Sequence, residues 1–169
     1  MARSVLSLLG GRIGFRRLPG EVRAALALER GERVLTHART SDGGHCVATT
    51  QALHLPGGVR LPWHLVDRAT WTEEALTVTM TDGRVHRVPV AEPGLLPETI
   101  RERVTATIVV SQYVSLGDRG GVRLIARRVP GYDLPRWEFL FDPGLDPADP
   151  GLRALAEQAL EDVRRSLGV

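Results

Sequence analysis

An Asp-Gly pair between two alternating segments constrains the fold of this chain more than any other feature. In residues 76–81 apolar side chains alternate with threonine, and a second alternating segment spans residues 84–90. Alternation of this kind is typical of a strand with one buried face. Asp82 and Gly83 between them favour the positive φ angles of a two-residue type I′ turn. The sequence therefore predicts a β-hairpin.

The segments before this hairpin predict that it ends an antiparallel meander. Turn residues separate the segments at 41–44 and at 56–58, where glycines occur. Pro62 cannot donate to a ladder, so its strand is predicted to lie at an edge or to be broken by a bulge. Trp63 and Trp71 are predicted to face one side of that strand and to begin the core. The predicted strands are residues 33–40, 46–55, 59–72, 75–81 and 84–90.

Helices and further strands are predicted outside the meander. A short helix is expected at residues 20–28. A second is expected at 96–111, although the β-branched end of that segment also fits a strand. Strands follow at 113–116, 122–129 and 136–141. The last helix is capped by Asp149, starts with Pro150 and ends at Gly168, with one continuous apolar stripe.

The order of these segments resembles the bacterial pleckstrin-homology-like (PH-like) domains. The matching segments are Gly-Glu-x-Val-Leu at 31–35, Val-Ala-Thr-Thr-x-Ala-Leu-His-Leu at 47–55, the Leu-Pro-Trp segment at 61–71 and the hairpin at 76–90. The resemblance implies an α+β, mainly β fold: a bent antiparallel barrel-like sandwich with a C-terminal closing helix. It also implies a binding or scaffold module without catalytic residues. The helix expected after residue 90 departs from the minimal pattern.

Length and charge predict one domain after a basic leader. A chain of 169 residues favours a single domain, here residues 20–169. Residues 1–19 contain arginine but no acid, and their glycines favour a disordered or loosely packed leader over an amphipathic surface helix.

All 22 basic residues of the chain are arginine, and the formal net charge is only +2. Arginine suits anion binding, but GC-rich codon usage explains the bias as well. Without a concentrated basic stripe, nucleic-acid binding is not expected.

Two groups of arginines are candidate anion- or partner-binding sites. Arg123 and Arg127 share one face of a predicted strand, beside a turn that contains Arg119. Such a face suits a phosphate head group or an acidic peptide, or it is simply a solvated outer face. Combined with Arg12, Arg16 and Arg17 of the leader, it would form a surface for anionic membranes.

The histidines and the single cysteine predict neither a metal site nor a nucleophile. His45, Cys46, His54 and His64 lack the paired spacing of zinc ligands, so partly exposed strand histidines are expected. Cys46 is expected to be a small buried apolar residue, because His45 points to the opposite strand face. A single cysteine favours a reducing cytoplasm.

The sequence as a whole favours a non-catalytic binding module without a cofactor, whose partner is a protein or peptide. Peripheral binding to an anionic membrane is the alternative. An enzyme whose site forms only in three dimensions is a weaker one, and it would require a pocket with converging polar groups.

Overall fold

The computed structural model describes residues 17–90 and 92–168. This part of the chain is α+β and mainly β, with strands in three antiparallel sheets. The helices are α1 Gly20–Ala25, α2 Leu96–Thr107 and α3 Pro150–Leu167. The strands are β1 Val34–Arg39, β2 His45–Thr49, β3 Ala52–Leu55, β4 Val59–Pro62, β5 Val66–Trp71, β6 Ala75–Met80, β7 Val85–Pro89, β8 Ile108–Ser115, β9 Gly121–Arg127 and β10 Arg136–Phe141.

The first sheet has the order β1-β2-β3-β4. The prediction of one long strand at residues 46–55 is wrong, because this segment forms the two strands β2 and β3. The chain reverses between Thr49 and Ala52, so β2 and β3 pair antiparallel. The Thr49 hydroxyl accepts hydrogen bonds from the amides of Gln51 and Ala52. A side chain thus stabilises a turn that contains neither glycine nor proline.

The predicted strand at residues 59–72 is broken after Pro62. β4 is an edge strand of the first sheet, as Pro62 predicts. A 3-10 turn at Trp63–Leu65 then leads into β5 of the second sheet, whose order is β5-β6-β7. The two tryptophans therefore do not share one unbroken strand. Even so, Trp63 is buried and Trp71 packs against the same core.

The predicted hairpin is present as β6 and β7, but its turn differs from the predicted type I′. Within this turn only Gly83 has a positive φ, of 85°. Asp82 has a negative φ, as does every other non-glycine residue of the described chain. The Gly83 amide donates to Met80 O at 2.9 Å, and Met80 N donates to Arg84 O at 2.8 Å. These bonds define a three-residue connection in which Gly83 occupies the left-handed bulge position.

The main core lies among the first two sheets and α2. Apolar side chains of α2 at helical spacing, Leu96, Ile100 and Val104, are buried there. The predicted helix at 96–111 ends at Thr107, and the β-branched residues that follow form β8, as the alternative reading expects. The buried residues of the main core are Ala38, Cys46, Ala48, Leu53, Leu55, Leu61, Trp63, Val66, Leu76, Val78, Met80, Val88, Val90, Leu96, Ile100 and Val104.

The third sheet, of order β10-β9-β8, forms a second core with α3. The Asp149 side chain accepts hydrogen bonds from the amides of Gly151 and Leu152, and Gly168 ends the helix with φ of 72°. The buried stripe of α3 packs on alternate residues of β9 and β10. The predicted caps are confirmed. The predicted apolar stripe is buried at Leu152, Ala156, Ala159, Leu160 and Val163, whereas Leu155 and Leu167, which were predicted to belong to it, are exposed. In the described residues the sheets do not join into a closed barrel, so the barrel-like and PH-like descriptions stay predictions.

Candidate functional site

An open groove with a volume of about 1540 Å³ lies between α1 and the first sheet. One wall is formed by α1 and the residues that follow it, and the other by β1. The 3-10 turn Pro56–Gly58 and residues 92–95 contribute to its rim. No side chain of α1 is buried. This wall is therefore held by few contacts and can adjust to an occupant.

Strand alternation places three histidines on the groove side of the first sheet. Ala38, Cys46 and Leu53 point into the main core. Their neighbours His37, His45 and His54 must then point to the opposite face, and all three line the groove. His37 and His45 are half-buried, as expected for strand histidines, whereas His54 is only 5% exposed. The expectation of partial exposure is therefore wrong for His54.

The burial of His54 is explained by the carboxylate of Glu32. Glu32 Oε1 lies 2.9 Å from His54 Nε2 and also accepts the Thr49 hydroxyl. Its other oxygen, Oε2, accepts the Glu29 amide at 2.8 Å and lies 3.4 Å from Arg60 Nη2. One buried carboxylate thus links the segment before β1 to β2, β3 and β4.

The Glu32 carboxylate stays ionised. Burial disfavours its charge and by itself raises the pKa. Hydrogen bonds from Thr49, the Glu29 amide and His54, together with the charge of Arg60, more than offset this effect and lower the pKa to about 2. Glu32 is therefore an anion at neutral pH beneath the groove, and it forms an ion pair with Arg60.

Thr49, His54 and Glu32 contain the chemical groups of a nucleophilic triad but not its geometry. In a triad the imidazole lies between the hydroxyl and the carboxylate. Here Thr49 and His54 bind the same oxygen of Glu32, and within the described residues no hydrogen bond joins the hydroxyl to the imidazole. Thr49 is also fully buried. The arrangement is that of an internal hydrogen-bond network centred on the Glu32 carboxylate.

His37 and His45 form a second polar feature of the groove, with ring centroids 5.7 Å apart. Arg39 is paired with His45 in the β1–β2 register. Burial, followed by the charges of His37 and Arg39, lowers the pKa of His45. The His45 imidazole is therefore neutral near pH 7, where it can both donate and accept hydrogen bonds.

The remaining charged side chains of the lining, three arginines and two glutamates, leave the groove with a small positive excess. Exposed Arg17, Arg23 and Arg39 line it, and within residues 17–90 and 92–168 no acid forms an ion pair with any of them. The acids of the lining are Glu21 and Glu92. The lining also contains apolar side chains, including Leu18, Val22, Leu26, Leu35 and Leu95.

The structure does not gather the predicted arginines into one surface. Arg12 and Arg16 lie outside the described residues, whereas Arg17 lines the groove. Arg119 lies beside Asp149 and Gly151 at the start of α3. Arg123 is exposed, and its guanidinium lies 5.9 Å from the centre of the Tyr113 ring.

Arg127 corrects the expectation of a two-arginine face. It is 1% exposed, and its Nε lies 3.1 Å from Glu138 Oε2. Its Nη1 donates to Thr107 Oγ1 at 3.1 Å, and its Nη2 lies 3.9 Å from Asp67 Oδ1. The charge of Arg127 is therefore satisfied internally.

Cys46 is fully buried, as predicted. Burial, with a smaller contribution from the negative charge of Asp42, raises the pKa of its thiol to about 12. A thiol with this pKa is a poor nucleophile at neutral pH. Elsewhere in the described chain, no group of three or more histidines, cysteines or acids is placed to hold a metal ion.

Sequence reasoning missed Glu32 and the groove above it. Glu32 belongs to no motif, and its partners are separated from it by up to 28 residues.

Among the helices of residues 17–90 and 92–168, none is long and apolar enough to cross a bilayer. Comparison with protein-family models, with curated proteins and with solved structures finds no match to this chain.

Proposed function

We propose that this protein is a non-catalytic binding module that holds an acidic peptide segment in the groove between α1 and β1. The observation that supports this most is the position of Arg17, Arg23 and Arg39, which line one apolar groove without ion-pair partners in the described chain. Cations that face an open, partly apolar surface suit a ligand with acidic and apolar side chains.

The size of the groove favours a peptide over a small molecule. Pockets for small ligands enclose about 300 to 1,000 Å³. This groove, at about 1540 Å³, is larger and extends along the whole of β1. A chain segment can span such a length and place alternate side chains on the arginines and on the apolar lining.

The edge at β4, which Pro62 predicted, is less suited to an added strand. Trp63 N donates to Gln51 O, so by antiparallel alternation the main-chain groups of Arg60 and Pro62 face away from β3. Pro62 has no N–H to offer there. A short edge that ends in proline is a usual way to prevent strand addition. The groove is therefore the better candidate.

The proposal can be tested with a fluorescent peptide of alternating glutamate and leucine and a matched peptide with lysine in place of glutamate. Fluorescence anisotropy should show binding of the glutamate peptide only, and binding should weaken with salt. Arg23→Gln and Arg39→Gln should each weaken it by about threefold to tenfold. Arg84→Gln is the control, because Arg84 is exposed in the β6–β7 turn and pairs with Asp82. Equal binding of both peptides, or equal affinity in all variants, would refute the proposal.

A further inference from the structure

The loop that joins β9 to β10 carries the most exposed large apolar side chains of the described chain. Tyr132 is 73% exposed and Leu134 is 78% exposed. Other large apolar side chains on the described surface reach at most 59%, at Val85. Two such side chains, two positions apart in the sequence, form an apolar projection that nothing in the described chain covers.

The loop has a defined shape at the end of a regular hairpin. Arg127 pairs with Arg136 in the last register position of β9 and β10, so residues 128–135 form the connection. The amide of Tyr132 donates to Val129 O at 3.2 Å, and Gly131 has φ of 82°. Prolines at 130 and 135 restrict the backbone on either side. The turn thus places Tyr132 at the tip, and Leu134 follows it two positions later.

Positive charge lies at the base of this tip. Arg128 and Arg136 are both exposed, whereas the neighbouring Arg127 is buried and bound to Glu138. Asp133 is the acid of the loop. The exposed charges of residues 128–136 are therefore two positive and one negative. These charges favour a binding partner with an anionic surface over one with a neutral or cationic surface.

We propose that this apolar tip, residues 128–136, inserts Tyr132 and Leu134 into the interface of a membrane that contains anionic lipid. Tyrosine is enriched at the head-group level of membranes, where its ring is in an apolar layer and its hydroxyl is hydrated. Leu134, two positions further along, enters the acyl boundary, and Arg128 and Arg136 contact the lipid phosphates. This surface is different from the leader and the Arg123 face, and it does not depend on the groove.

The first test is co-sedimentation of the full chain with vesicles of phosphatidylcholine alone or mixed with phosphatidylserine. Binding is expected only to the mixed vesicles and should weaken with salt. Tyr132→Ser and Leu134→Ser should each weaken it by about tenfold, and Arg128→Gln with Arg136→Gln by a similar factor. Val85→Ser is the matched control, since Val85 is an exposed apolar residue of β7. Thermal melting would verify that each variant remains folded.

Tyr132→Trp gives an independent readout of insertion. Brominated lipid in the mixed vesicles should quench the tryptophan fluorescence of this variant more than that of the parent chain. Val85→Trp should be quenched no more than the parent chain. No binding to the mixed vesicles would overturn the proposal. Binding that persists unchanged in the Tyr132 and Leu134 variants would also overturn it, because another segment would then be responsible. A partner protein that binds the tip in place of lipid corresponds to the first of these outcomes.

Discussion

His54 Nε2 lies 2.9 Å from Glu32 Oε1, so a buried imidazole of β3 is bound to a carboxylate that precedes β1. The same carboxylate accepts the Thr49 hydroxyl and the Glu29 amide. The floor of the groove is therefore fixed by one acidic side chain.

Replacing Glu32 should destabilise the protein strongly. In Glu32→Gln the amide nitrogen would face donors from His54, Arg60 or the main chain, which leaves buried polar groups without partners. We expect a loss of about 2 to 4 kcal/mol in the free energy of unfolding, measured with a chemical denaturant. Glu29→Gln is the control. Its side chain is 60% exposed and also pairs with Arg60, so its loss should stay below about 1 kcal/mol. Similar losses in both variants would contradict the role assigned to Glu32.

The contribution of Glu32 to the free energy of unfolding should also depend on pH. Its pKa is about 2 in the folded protein, against an ordinary value of 4.5. Because the folded pKa is the lower one, the unfolded chain binds the proton more readily. The stabilisation is then complete above about pH 5 and is lost as the pH falls through 4.5 towards 2, by about 3 kcal/mol. Unfolding measured across this range should show the parent chain approaching Glu32→Gln in stability. A constant difference between the two would argue against an ionised Glu32.

The pKa of His45 should respond to its neighbour across the ladder. Burial and the positive charges of His37 and Arg39 lower this pKa. Arg39→Gln removes one of these charges, so the pKa of His45 should rise, although burial keeps it below its ordinary value. Titration of the imidazole protons by NMR would measure the change. Arg84→Gln should leave the pKa of His45 unchanged. An unchanged pKa of His45 in Arg39→Gln would contradict the position of Arg39 beside His45.

Two arginines of β9 provide a matched pair for stability. Arg127 is buried against Glu138 and Thr107, whereas Arg123 is exposed over Tyr113. Arg127→Gln leaves the half-buried Glu138 without its cation and the half-buried Thr107 contact without its donor, and we expect a loss of about 2 kcal/mol. Arg123→Gln should cost less than about 1 kcal/mol. Denaturant unfolding of both variants tests this, and comparable losses would show that Arg127 is not held as described.

The elements predicted correctly are those whose signals are local. The hairpin follows from the alternation around Gly83, and the ends of α3 follow from Asp149 and Gly168, which act within one turn of the helix. The position of Pro62 at an edge follows from its missing N–H. Each of these depends on the residue and its immediate neighbours.

The features that were missed depend on distant partners. The turn between β2 and β3 is made by the Thr49 side chain without glycine or proline, so the two strands read as one. Arg123 and Arg127 are four residues apart on one strand, so their spacing predicts the same face. Their environments differ because the side chains of Glu138 and Thr107 bind Arg127. The groove requires α1 and β1 to come together in three dimensions, which no periodic pattern encodes.

The most direct test of the account is amide NMR of the full chain during titration with the glutamate-leucine peptide. We predict that the amides of Arg23, Arg39 and His45, which border the groove, shift progressively, while those of β10 stay in place. The lysine-leucine peptide should cause no such change. Shifts centred on another face of the protein, or none at all with the acidic peptide, would contradict the proposal that this groove is the binding site.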